Sequence, residues 1–224
     1  MSPRFPRLAR FALRLALVLP LLVLPLLVVA AQRWGEAYGE FWLPWYRTVL
    51  RLVLPDYHVT ALSVVERNHE KRVAAQFVAT EYQEVEGRLL PPGFTVDAST
   101  LLDHALIHPL ILLAAVLAWP DFSGRQRLLW LLLSLPLLGM LESLDVPLSL
   151  AGAVSDVVTW QASQGFAPPS VLTGWSVTLD GGGRLALSLA AAVIGGVMSR
   201  WLRPRRSAAM STVTPHRASE TDIG

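Results

Sequence analysis

The sequence predicts a mainly α-helical membrane protein. Four transmembrane helices carry a small outer β-rich domain, inserted between the first and second helices. Three observations predict this. The 224 residues are 53% hydrophobic, with a mean hydropathy of +0.44, more apolar than a soluble domain of this size needs. The apolar residues gather into four runs without Asp, Glu, Lys or Arg: 15–31, 105–119, 128–141 and 185–199. Basic residues concentrate on alternate connections between those runs, the positive-inside pattern.

Residues 1–14 form a basic cytoplasmic N-terminus, with Arg4, Arg7, Arg10 and Arg14 and no acid. The first transmembrane helix is expected over 15–34, long enough for a ~30 Å hydrocarbon core. Pro20 and Pro25 would break a soluble helix but are tolerated in a membrane one. A cleavable signal peptide is the alternative, because Val28-Val29-Ala30 fits a small-residue cleavage site. Either reading sends the next segment outward.

Residues 35–56 are expected to form an interfacial amphipathic helix. Trp34, Tyr38, Trp42, Trp45 and Tyr46 crowd the place where aromatics with a polar handle prefer the headgroups. Tyr46, Val49, Leu50, Val53 and Leu54 share one helical face, with Arg47 and Arg51 on another. The same pattern fits an amphipathic helix packed on the outer domain.

Residues 57–102 form the small outer, periplasmic β region. Val59–Val65 reads as a strand, Arg67-Asn68-His69-Glu70 as a polar turn, and Val73–Tyr82 as the return strand. Pro91-Pro92-Gly93 breaks the pattern before a short third strand at Phe94–Val96. So small a sheet is marginal in water. It needs the amphipathic helix, the membrane or a partner over one face.

Transmembrane helices 2 and 3 are expected at 103–120 and 128–144, joined by a cytoplasmic turn at 121–127 that carries Arg125 and Arg127. An outer loop spans 145–184. Within it, Val146–Trp160 has the composition of a second surface helix and Trp175–Leu179 that of a short strand. Helix 4 spans 185–202, where Ala190, Ala191, Ala192, Gly195 and Gly196 permit close helix contact. The polar tail 203–224 is cytoplasmic and disordered by composition. With both termini inside, the cytoplasmic pieces hold 11 basic residues and three acids, and the outer pieces hold eight basic residues and 14 acids. The location expected is a bacterial inner membrane. A basic set of 18 Arg and one Lys fits a GC-rich bacterial genome.

The chain has no cysteine, which excludes disulfides, thiolate metal sites and thiol nucleophiles. Ser63, Ser99 and Ser170 lie in no nucleophile motif, and no glycine loop for phosphate precedes a helix. The basic termini suit anionic lipid and membrane insertion, not nucleic acid. No catalytic residue, cofactor or bound metal is therefore assigned. One constellation stands out. His104 and His108 share a helix face. Asp103 lies beside them, and Glu142 and Asp145 sit on the facing helix end. Together Asp103, His104, His108, Glu142 and Asp145 form a candidate outer-rim site for a metal or a proton relay. The plain structural reading has Asp103 and His104 capping the helix, His108 satisfying a neighbour, and Glu142 and Asp145 forming a solvated rim.

The fragments Phe41-Trp42-Leu43-Pro44-Trp45-Tyr46 and His108-Pro109-Leu110-Ile111-Leu112-Leu113-Ala114, with Trp119-Pro120 and the strand pair at 59–82, carry a resemblance. In layout the chain resembles the small accessory membrane proteins encoded beside exosortases, in particular the exosortase H-associated family. The resemblance implies a non-enzymatic inner-membrane protein in the lipid bilayer. Its outer domain would dock on another membrane protein of an envelope protein-sorting or polysaccharide-export machine. It carries over no catalytic residues, and the cysteine chemistry of exosortases themselves has no counterpart here. The alternative expectation is a membrane enzyme or an ion- or proton-coupled protein, with its site at the outer rim of helices 2 and 3.

Overall fold

The computed structural model describes residues 24–202 apart from 86, 120, 121 and 164–168, together with the isolated positions 13, 17 and 21. The basic N-terminus, most of the leading run up to residue 23 and the tail 203–224 lie outside the described residues.

Helix α1 (Leu24–Val53) runs unbroken for 30 residues, through Pro44. At 1.5 Å per residue it is about 45 Å long. The expected junction between a transmembrane helix ending at 34 and a separate interfacial helix at 35–56 does not exist. Tyr38, Trp42, Tyr46 and Leu50 recur every fourth residue, so they share a face that needs cover along its whole length. Tyr46 and Leu50 are fully buried in the core beneath the sheet. The second half of α1 is thus an amphipathic helix packed on the β region.

The main sheet has the order β1-β2-β5, from β1 (Tyr57–Arg67), β2 (Glu70–Ala79) and β5 (Thr95–Leu101), all antiparallel. Asn68 (φ 53°) and His69 (φ 63°) make the tight turn between β1 and β2. Two successive left-handed residues give the twist a two-residue hairpin needs. A bulge between Val59 and Ala61 shifts the register of β1. β3 (Gln83–Val85) and β4 (Arg88–Leu90) add a two-stranded pair that alternation did not predict, because each is three residues long. The Tyr57 hydroxyl donates to Gln83 Oε1 at 2.6 Å and ties this pair to β1. Burial pushes that phenol's pKa up.

Val59, Val73, Ala75, Phe77, Val96 and Ala98 line the inner face of the sheet. They meet Tyr46 and Leu50 of α1 and a stripe of Val146, Leu150, Val154 and Val158. That stripe belongs to α3 (Gly124–Ser163), a single helix of 40 residues containing Pro136 and Pro147. At about 60 Å, α3 is twice as long as the hydrocarbon core is thick. The expected outer loop at 145–184 is therefore helical over most of its length. Val146–Ser163 continues α3. Val171–Thr178 is helix α4, capped by Ser170, whose side chain accepts from the Thr173 amide. The strand expected at 175–179 is part of α4 and the turn that follows. The acids Glu142 and Asp145 suggested a helix end at the rim, yet they lie mid-helix.

A π turn, Leu179–Gly183, joins α4 to α5 (Arg184–Trp201), with Gly182 at φ 111°. That conformation suits glycine alone. α2 (Leu102–Ala118) lies against α1, α3 and α5. Small residues on α5 bring it close to α3, as expected. A Cβ at Gly196 would stand 3.0 Å from the Trp130 ring, whose Nε1 donates to the Ala192 carbonyl at 2.8 Å.

Two helical runs are long and apolar enough to cross a membrane: Gly124–Ser163, and Val171–Trp201 taken through the π turn. α2, at 17 residues, is apolar but shorter. Only 39% and 33% of the most apolar windows of the two long runs are buried inside the protein. Leu128, Leu132, Leu135 and Met140 of α3 and Val193, Ile194, Val197 and Met198 of α5 are exposed.

Candidate functional site

The polar groups of the rim come together where α2, α3 and α5 meet. Asp145, on α3, is 1% exposed, and His108, on α2, is 1% exposed. His108 Nε2 stands 2.9 Å from Asp145 Oδ2, and its Nδ1 stands 2.8 Å from Ser188 Oγ on α5. Because Nε2 faces a carboxylate, that nitrogen carries a proton. Arg184 donates twice to the same carboxylate, from Nε to Oδ2 at 2.6 Å and from Nη2 to Oδ1 at 2.9 Å. Its Nη1 reaches Asp180 across the π turn. Ser188 Oγ also lies 2.7 Å from the Arg184 carbonyl. Asp180, Arg184 and Ser188 recur every fourth residue, which aims all three at one side.

Glu142, one turn before Asp145, is fully buried and belongs to a second cluster. Its Oε1 accepts from the Tyr38 hydroxyl at 2.6 Å and its Oε2 from the Tyr46 hydroxyl at 2.5 Å. This pair of short hydrogen bonds fastens α1 to α3. Nearby, Trp45 Nε1 donates to Ser143 Oγ at 2.6 Å. The solvated rim expected of Glu142 and Asp145 is thus a buried one.

His104 and Asp103 join neither cluster. Asp103 is exposed in the first turn of α2, where its charge suits the helix dipole. Neither residue is the cap: the N-cap position is Leu101, with no side-chain hydrogen bond. His104 lines a polar cavity of about 200 Å³, and its Nδ1 is buried without a hydrogen-bond partner. The cavity lies between the end of β5, α2, α3 and the α4–α5 turn. Asp156, Asp180 and Arg184 also line it. Of the five candidate residues, the fold therefore unites His108 with Asp145, gives Glu142 other partners, and leaves His104 and Asp103 apart. Among the described residues no three His, Asp or Glu side chains are grouped to hold a metal.

Sequence reasoning missed Arg184, Ser188, Asp180, Tyr38 and Tyr46 as partners in these clusters. The available signal was spacing. Tyr38 and Tyr46 lie two turns apart on one helix face, so their hydroxyls can reach one shared acceptor, and Asp180-x3-Arg184-x3-Ser188 is a polar stripe leading into an apolar helix.

Ser188, His108 and Asp145 stand in hydrogen-bond sequence, the order of a nucleophile, a base and its orienting acid. The surroundings differ from those of a working triad. Ser188 is 1% exposed. It does not line the cavity, and the acid is already neutralised by Arg184. The arrangement as built fastens three helices. No family model, no curated protein and no solved structure matches this chain.

Proposed function

We propose that the chain is a non-enzymatic accessory protein of a bacterial inner membrane, with four spans and both termini cytoplasmic. Its outer domain docks on a larger membrane partner of an envelope-sorting, exosortase-type or polysaccharide-export machine. The observation that carries this reading is the continuity of α3. One helix bears exposed leucines in its first half and the core of the sheet in its second. A domain built on such a helix is held at a fixed height and angle over the bilayer, which a docking platform needs and a freely tethered domain lacks.

The inner face of the sheet is covered by α1 and α3 of the chain itself, so it is not the docking face. The free edge of β1 is the better surface. That strand is 11 residues long, pairs among the described residues only with β2, and exposes His58, Thr60, Ala61 and Ser63. An unpaired edge offers backbone donors and acceptors to a strand of a partner. A photo-crosslinking residue at Ser63, activated in native membranes, is expected to capture one membrane protein. The same residue at Leu132, which faces lipid in this reading, is expected to capture none. Capture at Leu132 and not at Ser63 would move the interface into the bilayer and sink docking through the edge.

The alternative is a membrane enzyme, favoured by the Ser188–His108–Asp145 sequence of hydrogen bonds. Ser188→Ala separates the two. The accessory reading expects unchanged partner capture and a stability loss of about 1–3 kcal/mol, because the buried His108 Nδ1 is left without its partner. Loss of cellular function in a folded, partner-bound Ser188→Ala protein would favour the enzyme.

A further inference from the structure

We propose that the end of the helix bundle away from the sheet binds the phosphate of an anionic phospholipid, through Arg127 and Arg200. Three helix ends meet there: the last turn of α2, the first of α3 and the last of α5.

An aromatic cluster builds the seat. Trp119 ends α2, Phe122 precedes α3 and Trp130 lies within it, and their ring centroids stand 5.3–6.0 Å apart. The guanidinium carbon of Arg200 lies 5.1 Å from the centre of the Trp119 ring and 5.4 Å from that of Phe122. Arg127 Nη2 donates to the Trp119 carbonyl at 3.4 Å. One residue, Trp119, thus seats both cations, Arg200 on its ring and Arg127 on its backbone. Stacking occupies the flat face of a guanidinium and leaves the N–H groups along its edge for a ligand.

The charge balance gives the sign of that ligand. Neither Arg127 nor Arg200 forms an ion pair among the described residues. The sequence repeats the imbalance: residues 120–127 and 200–206 carry six arginines and a single acid, Asp121, so even full use of that acid leaves an excess of five positive charges. The dipole of α5 explains Arg200, which stands in its last turn. It does not explain Arg127. That residue is half-buried in the first turn of α3, at the positive end of the helix, in a turn without an acid. A partly desolvated cation so placed is costly until an anion meets it.

The surroundings give the kind of anion. A guanidinium edge matches the paired oxygens of a phosphate. Apolar surface begins at once beside it. Leu128 follows Arg127 and is exposed, and exposed Val197, Met198 and Trp201 flank Arg200. A cation at the border of an apolar belt fits a ligand with an anionic head and an apolar chain, and Trp201 suits the headgroup level. A soluble phosphate offers the same head without the chain. The lipid source rests on the membrane reading above. The phosphate chemistry does not.

The test uses the full chain purified in detergent and mixed with phosphatidylglycerol, phosphatidylcholine or glycerol phosphate. Bound copies are counted by native mass spectrometry. One phosphatidylglycerol is expected to stay bound at collision energies that strip phosphatidylcholine. Arg127→Gln and Arg200→Gln are each expected to weaken that retention about tenfold or more, the loss of one charge-assisted contact. Arg200 is exposed, so Arg200→Gln is expected to leave the fold intact, and it serves if Arg127→Gln fails to fold. Arg125→Gln removes the same charge from the same turn of α3, but about 200° around the axis from Arg127, and is expected to leave retention nearly unchanged. Binding of glycerol phosphate alone, lost in the Arg127 and Arg200 variants, would keep the phosphate chemistry and move its source into solution. Equal retention of the two lipids would overturn the proposal. So would equal losses from Arg125→Gln and Arg200→Gln, because attraction would then follow net charge and not this seat. Neither result bears on capture at Ser63, so this proposal and the docking reading fail separately.

Discussion

Replacing Arg184 by alanine leaves Asp145 buried with His108 and only a 3.5 Å contact from Ser149. An uncompensated buried charge typically costs about 3–5 kcal/mol, whereas replacing both members of such a pair by apolar groups of similar volume is often neutral. Arg184→Ala is therefore expected to lower the thermal unfolding temperature in detergent sharply. Arg184→Met combined with Asp145→Leu should restore much of the loss. Equal damage in the single and double variants would mean that Arg184 acts through packing alone. At this scale the sequence was partly legible. His104 and His108 were visible as a pair on one helix face, and Asp145 as an acid within reach of it. Their fates diverged because one helical turn separates a fully buried position from a cavity wall, and the choice depends on α5. Arg184 lies 39 residues from Asp145 in the chain, and no local pattern announces that pairing.

The helices differ from expectation mainly in where they stop. The apolar runs were legible because burial and lipid both demand long unbroken apolar stretches. Their ends were not, because charged and aromatic residues normally mark a helix leaving the membrane. Here Glu142 and Asp145 are satisfied in place by Tyr38, Tyr46, His108 and Arg184, so α3 continues through them. The stripe Val146, Leu150, Val154 and Val158 then faces the sheet with the same period as the run before it. Continuity of phase gives a sharp prediction. One inserted residue rotates everything beyond it by about 100° around the helix axis. An alanine inserted after Ser149 would turn Val154 and Val158 away from Phe77 and Val96 while leaving the buried polar pairs of the rim untouched. The β region of that variant is expected to become protease-sensitive, with the segment 124–144 still protected. A β region as resistant as the original would show that the sheet does not depend on the phase of α3. The β1–β2 hairpin was legible from alternation and its Asn-His turn, while β3 and β4 were too short to show a period.

At the scale of the whole molecule, the fold joins a sheet with an internally covered core to helices whose outer surfaces stay apolar. Exposed Leu128, Leu132, Leu135 and Leu144 on α3 span 17 residues, about 25 Å of helix, and exposed residues from Leu185 to Trp201 on α5 span a similar height. Two helices with matching apolar heights fit a bilayer better than a water-facing surface, since a contiguous apolar patch of this size in water invites aggregation. Arg125 and Arg127, expected on a turn at 121–127 but in fact in the first turn of α3, then lie at the end away from the sheet. A chain without native cysteine allows a direct check, because every introduced thiol is the only one present. Ser63→Cys, on the exposed β1 strand, should react with a membrane-impermeant maleimide in intact spheroplasts. Arg125→Cys should react only after the membrane is permeabilised. Leu135→Cys should resist the charged reagent in both states, because a thiolate forms poorly in hydrocarbon. Labelling of Arg125→Cys from outside would reverse the orientation. Rapid labelling of Leu135→Cys from either side would remove α3 from the lipid and, with it, the argument that the sheet is held at a fixed height over a membrane.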